Sequence, residues 1–554
     1  MTTKPDSELD ARNFTPRKRA REREARLIAT LTHSGRGFYL LVAGLLAVIA
    51  VGAYAYYRQL SEGLVVTGMR HYVFWGLYMT NFVFFIGISH AGTLISAILR
   101  VTGAGWRTPI TRMAEAITVF ALLIGAPMIL IDMGRPDRVQ NVLLYGRIQS
   151  AILWDVISIT TYITGSLLYL YIPMIPDMAI LRDGLPGAAR WRKKLYTLLA
   201  LNWHGAEAQE HALEKAVSIM AVLIIPIAVS VHTVVSWIFG MTLRPGWHST
   251  IFGPYFVVGA IFGGIAALLL AMAFFRRALH LEEYVTVKHF RYLGILFLVM
   301  DAIYLYFTFA EYLTSGYTSM HPEAEVLGAL MTGRYAVTFW GMVLVGFLLP
   351  GFMLSLPLFI KPAPQAKVGW VTMRLRPALG IGVALLLVAG GLVSAIQPAG
   401  VGALIASVQP TTVAATSAQA ADSTPYLQWA VLFTVPVLFM FFLPEMRAHP
   451  IATTTIAAAL VTVAMWLKRY LIIVPTLENP YIPIPPSTPA DWAHYLPSGV
   501  EWAITAAAFA LFILLYVLFS KVFPIVSLWE TREPAHVPAP AHPAAGALAP
   551  EMGD

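Results

Sequence analysis

Cysteine is absent from all 554 residues, and charged residues make up only 12% of them. Without thiolates the chain has no disulfide and no iron-sulfur cluster held in the usual way, so any metal centre that serves it belongs to another chain. The scarcity of charge, set against 58% apolar residues and a mean hydropathy of +0.67, excludes a soluble globular domain. No glycine-rich phosphate cradle, metalloprotease helix or nucleophile elbow occurs in a suitable setting, which argues against a nucleotide-driven pump and a hydrolase. The net charge of +8 is no nucleic-acid signature either, because most basic residues sit in short loops between apolar runs.

What is present is a succession of apolar runs of about 20 residues, the length of a helix that crosses a bilayer. They predict an all-α polytopic membrane protein with about 10–12 transmembrane helices. A basic arm (1–37) precedes a first span (38–57), followed by a group at 71–240 and another at 251–396. An Ala/Ser/Thr-rich loop (397–425), C-terminal spans (427–523) and a Pro/Ala-rich tail expected to be disordered (524–554) complete the chain. Placing both termini in the cytoplasm puts about 29 of the 38 Lys and Arg on that side and about 7 outside, as the positive-inside rule requires. Three of the outer seven, Arg135, Arg138 and Arg147, follow the run DMGRPDR or lie within it. They suit an acidic partner surface, a quinone head group, or a local pair with Asp132 or Asp137.

Ionisable residues inside spans are functional candidates by default. His90 shares a helix face with Thr93 and Ser96; Asp155 shares one with Ser158, Tyr162 and Ser166. An imidazole and a desolvated carboxylate at these places suit acceptance of protons from a hydroquinone. Asp301, Tyr304, Thr308 and Glu311 form a periodic stripe fit to conduct protons, with Glu115 and Asp132 adding carboxylates at other depths. Glu115 lies one turn from Arg112 and Asp132 close to Arg135, so either could instead be a boundary ion pair. Only His90 and His232 lie well inside spans, too few for a multihaem cytochrome b, and no metal site is predicted.

The segments GISHAGTLISAILR (Gly87–Arg100), WRTPITRMAEAIT (Trp106–Thr118), GRP (Gly134–Pro136), ILWD (Ile152–Asp155), IPDMAILRD (Ile175–Asp183), SVHTVVSW (Ser230–Trp237), PGWHSTIFGPYFVVGAI (Pro245–Ile261) and AMWLKRYLIIVPTL (Ala464–Leu477) resemble, in order, the NrfD/PsrC family of quinone-interacting membrane subunits. Within that family the chain looks most like the large NrfD-type subunit of alternative complex III. The resemblance implies two four-helix bundles and a quinol site in the first, near the outer surface, with menaquinol or ubiquinol as substrate and no cofactor bound by this chain. It maps His90 and Asp155 onto the quinol-site pattern and Glu115, Asp301 and Glu311 onto positions proposed for proton movement; Arg135, Tyr162 and His232 are the further quinol-binding candidates in this sequence. It also implies an extracytoplasmic iron-sulfur or molybdopterin-type partner, a multihaem cytochrome c subunit and a second NrfD-type subunit in a bacterial cytoplasmic membrane. Lys468 stands before Arg469 where the family pattern has an acidic residue, and the segment from about residue 361 to 447 looks inserted. A secondary transporter and a passive anchor for redox subunits are the alternatives; the uninterrupted spans count against the first.

Overall fold

The computed structural model describes residues 24–32, 34–185, 189–359 and 449–532. Among these, ten helical runs are long and apolar enough to cross a membrane. They are α1 (Arg36–Glu62), α2 (Leu77–Val101), α3 (Gly105–Asp132), α4 (Ala151–Gly184), α5 (Glu207–Met241), α6 (Phe252–Ala278), α7 (Val287–Thr318), α8 (Ala336–Ser355), α9 (Pro450–Glu478) and α10 (Gly499–Val522). The chain is thus an all-α polytopic membrane protein. The two further runs expected near 377–396 and 427–444, and the 397–425 loop, lie outside the described residues.

Helices α2 to α5 pack as one four-helix bundle, α2 against α3 and α5, α4 against α3 and α5. Helices α6 to α9 form a second, so that α9 packs on α6, α7 and α8 although it comes after the intervening segment in sequence. Because α2 also touches α6 and α9, it is enclosed on all sides, and each residue from Leu77 to His90 is buried. Its uniform apolarity is what such a position demands.

Helix α1 is different, with Gly52, Ala55 and Gln59 its buried residues and the rest half-buried or exposed. Small residues let its backbone approach α10 closely: a Cβ on Gly52 would fall 2.1 Å from that of Ala507. The α1–α10 pair then leans on α2 and α3.

Among the described residues, two spans contain a π-helical turn. A π-helical turn, Ala91–Ile95, interrupts α2 directly after His90, and another, Met342–Leu348, interrupts α8. Such turns insert one residue and re-aim the side chains beyond them, and they concentrate at functional sites.

One face of the membrane body, the basic face, carries the basic loops. There the stretch expected to open a disordered tail is packed through residue 532: Asp177 accepts hydrogen bonds from the Leu528 and Trp529 amides at 3.2 and 2.7 Å, and Arg100 holds Glu530 at 2.7 Å. Composition alone hid this, because the anchors are single residues in a Pro-containing segment. On the opposite face, Tyr495 in the segment before α10 is buried, its amide donates to Glu478 at 2.8 Å and its hydroxyl to Glu501. Burial first, then the neighbouring Glu501 carboxylate, push the Tyr495 phenol well above its usual value.

Candidate functional site

In the first bundle, α2, α4 and α5 bring His90, Tyr162 and His232 together. The His90 and His232 rings lie 3.8 Å apart between centroids, and the Tyr162 ring 5.0 Å from His90. All three side chains are fully buried. The Nδ1 of His90 lies 3.0 Å from the Ile86 carbonyl and its Nε2 rests on the Ala228 carbonyl of α5. A neutral ring has one N–H and can satisfy only one of these acceptors, whereas a protonated ring satisfies both. Neither ring nitrogen of His232 has a hydrogen-bond partner.

A set of linked hydroxyls closes back on the Ser89 carbonyl beside His90. Tyr162 donates toward Thr93 Oγ1 at 3.3 Å, Thr93 donates to Thr118 at 3.0 Å, and Thr118 to the Ser89 carbonyl at 2.6 Å. One turn along α2, Ser96 donates to Glu115 Oε1 at 2.8 Å and meets the Tyr169 hydroxyl at 3.1 Å.

Beside this cluster an open groove of about 650 Å³ lies between α5 and α6. Val229, Thr233 and Ser236 border it, residues that flank His232 on α5, and so does Trp237, whose ring meets that of Trp154 at 6.5 Å. Asp155 comes directly after Trp154, is only 3% exposed, and has a carboxylate oxygen without a hydrogen-bond partner. It stands two helical turns from Tyr162 along α4, roughly 10 Å of rise. No hydrogen bond or ring contact joins Asp155 to His90, so the two are members of one bundle rather than a touching pair.

Of the local ion pairs that the sequence offered, the one between Arg135 and Asp137 forms, and those of Arg112 with Glu115 and of Asp132 with Arg135 do not. Arg112 reaches Asp177 of α4, leaving Glu115 to Ser96. Arg135 pairs with Asp137 at 2.8 Å on the exposed turn after α3, and that hydrogen bond holds the Asp137 carboxyl below its usual value. Arg135 is thus an exposed residue with a local partner. Asp132, expected beside Arg135, keeps a buried carboxylate oxygen with no partner.

In the second bundle, Asp301, Tyr304, Thr308 and Glu311 are all buried, as one inward stripe of α7. Tyr255 of α6 meets Thr308 at 2.6 Å and packs against Tyr304 with the rings tilted, 4.8 Å between centroids. The fully buried Lys468 of α9 lies 3.6 Å from Glu311 and donates to the Tyr312 hydroxyl at 2.8 Å. Its ammonium also sits 5.0 Å from the Tyr255 ring and 4.6 Å from that of Tyr312. Arg469 lies beside it, its guanidinium 4.7 Å from the Phe256 ring. Deeper in the bundle, Asp301 has an unpartnered oxygen and closely abuts Gly351 of α8, where a Cβ would lie 2.4 Å from Oδ2.

Residues 65–394, more than half of the chain, match the family described as polysulphide reductase, NrfD. The chain belongs to the NrfD family. Relatives of this NrfD-type chain include a Halobacterium salinarum protein named as a membrane subunit of dimethyl sulfoxide reductase, 31% identical over 43% of this chain and 51% of the relative. A selenate reductase subunit of Mesobacillus selenatarsenatis is 26% identical over 55% of this chain and 72% of the relative. The Hdr-like menaquinol oxidoreductase integral membrane subunit of Archaeoglobus fulgidus is 24% identical over 60% and 74%. The match thus spans about half the length of the first of these relatives and nearly three quarters of the other two. By their names, the first and third of these relatives are membrane subunits of oxidoreductases.

The partners Asp177, Lys468, Glu478 and Glu501 in this NrfD-type chain were not singled out as site residues by the sequence. A lysine inside a span is itself the available signal, since it requires a buried acid, and Glu311 supplies it. Among the described residues no group of three or more His, Asp or Glu is placed to hold a metal ion.

Proposed function

We propose that this chain is the quinol-oxidising membrane subunit of a multi-subunit electron-transfer complex of alternative complex III type. The observation that carries the reading is the buried His90–His232 pair, one ring with both nitrogens unpartnered and the other resting on two carbonyls. Oxidation of a quinol to a quinone breaks two O–H bonds and releases two protons and two electrons. His232 offers a free nitrogen to one hydroxyl. A proton passed to His90 gives that ring the second N–H its carbonyl partners call for. Asp155, next in sequence to the Trp154 whose ring meets Trp237 of the groove, is the acceptor for the other proton. The groove between α5 and α6 gives a lipid-soluble substrate a side entrance from the bilayer.

Electrons then leave for an iron-sulfur or molybdopterin-type subunit on the opposite face and a multihaem cytochrome c beyond it, since this chain holds no cluster of its own. The membrane part is made up by a second NrfD-type subunit. The chain sits in a bacterial cytoplasmic membrane with its basic face inward, in line with the charge bias of the loops. Proton movement coupled to turnover would use Glu115 in the first bundle and the Asp301–Glu311 stripe in the second. The name of the Archaeoglobus relative, a menaquinol oxidoreductase subunit, supports the substrate class.

The test uses the assembled complex with its redox partners. His90→Ala and Asp155→Asn each abolish quinol-dependent reduction of partner haems while haem content and assembly persist. Retained turnover in both variants rejects the assignment, and substrate transport by the chain alone in liposomes would favour a secondary transporter.

A further inference from the structure

The geometry points to a proton exit from the second bundle to the opposite face, running from the Lys468–Glu311 pair through a small chamber to Glu323 and His248. This deepens the proton-coupled part of the reading above and rests on it for its physiological purpose, though not for its geometry.

The chamber measures about 40 Å³ and is lined by Glu311, Tyr312, Ser315, Glu323, Trp247 and Thr476 among others. That volume holds one water molecule or a short file of them. The two carboxylates lie on different elements, Glu311 on α7 and Glu323 on the short helix His321–Met331 that comes after it. Glu311 Oε2 has no hydrogen-bond partner, though it lies near the Lys468 ammonium. Glu323, only 10% exposed at its side chain, lies 3.3 Å from Nε2 of His248. That imidazole is 56% exposed, and the Tyr481 hydroxyl lies 3.4 Å from its Nδ1. A buried cation, a buried acid, a water-sized chamber, a half-hidden acid and an open imidazole therefore succeed one another from the bundle interior to the surface.

The groups that face Glu311 are Lys468 and Arg469 from α9, Tyr255 from α6, Tyr304 and Tyr312 from α7 itself, and Glu323 across the chamber. Two cations stabilise the carboxylate between transits. A proton arriving at Glu311 forms an O–H bond there; that bond breaks toward chamber water as the water gives up another proton to Glu323, which hands one to His248. His248 releases it to bulk solvent, and each group returns to its starting form with no redox change.

Proteoliposomes that carry the assembled complex test this by infrared spectroscopy after a pH jump on one face. The carboxylic C=O signal of Glu311 is the one missing in Glu311→Gln. An acid jump on the His248 face produces it in the wild type, and Glu323→Gln or His248→Ala slows its appearance at least about tenfold. An unchanged rate in both variants, a signal that answers only to the basic face, or no Glu311 signal at all overturns the exit. Quinol-driven haem reduction in the same vesicles keeps the two ideas apart: normal electron transfer with a Glu311 that ignores the His248 face rejects the exit alone, whereas loss of the His90 dependence rejects the quinol site.

Discussion

The two bundles share a helical architecture and differ in what they bury. At the centre of the first are imidazoles and hydroxyls, and its Arg112–Asp177 ion pair is set at the basic face, where it also anchors the 524–532 segment. At the centre of the second are Lys468, Arg469, Glu311 and Asp301. Neutral groups that gain a hydrogen bond on protonation suit a site that takes hydrogen from an uncharged substrate. Paired charges suit a site that passes a proton on, since the neighbouring cation offsets the carboxylate left behind. The difference implies that electron transfer and proton exchange are separable by mutation.

The largest effect expected is on turnover. His90→Ala should lower quinol-dependent haem reduction by at least about 100-fold, whereas Lys468→Met should leave it within a few-fold. Equal losses in a stopped-flow assay would mean that the bundles do not divide the work. Next comes Arg112→Ala, which strands the Asp177 carboxylate and should cost about 3–5 kcal/mol in thermal or denaturant unfolding of the purified complex; Arg112→Met with Asp177→Asn, which removes the stranded charge and keeps an acceptor for the Leu528 and Trp529 amides, should recover part of it. Gly92→Ala ranks third. A Cβ there would fall 1.7 Å from the Ala114 carbonyl, so α2 and α3 must separate, at a cost of about 1–3 kcal/mol and with a loosened imidazole pair visible as weaker quinol binding. Smallest is Asn81→Leu. It removes hydrogen bonds of 2.8 Å to Thr505 and from Trp466, and should cost about 1 kcal/mol with turnover unchanged.

The spans were legible because a bilayer imposes a length and a polarity on whatever crosses it. Their ends were less so: α5 begins at Glu207 and α4 runs on to Gly184, both through polar turns that hydropathy assigns to loops. The Asp301–Glu311 stripe was visible as a periodicity, and α7 does bury all of it on one side. The identity of the facing groups was not visible. Lys468, Asp177 and His232 meet Glu311, Arg112 and His90 across 65 to 157 residues of chain, and local spacing favoured nearer partners for Glu115 and Asp132 that the fold assigns elsewhere. The π-helical turn after His90 has no signature in composition, yet it sets the direction in which Thr93 and Ser96 point.

The pairing of α1 with α10 has a consequence for biogenesis. Asn81 in α2 finds Trp466 and Thr505 only in α9 and α10, and Gly52 finds Ala507 in α10. While the ribosome is still making the middle of the chain, the early helices must therefore wait in the translocon or among chaperones with an amide side chain unmatched, and the membrane body locks only when its last span arrives.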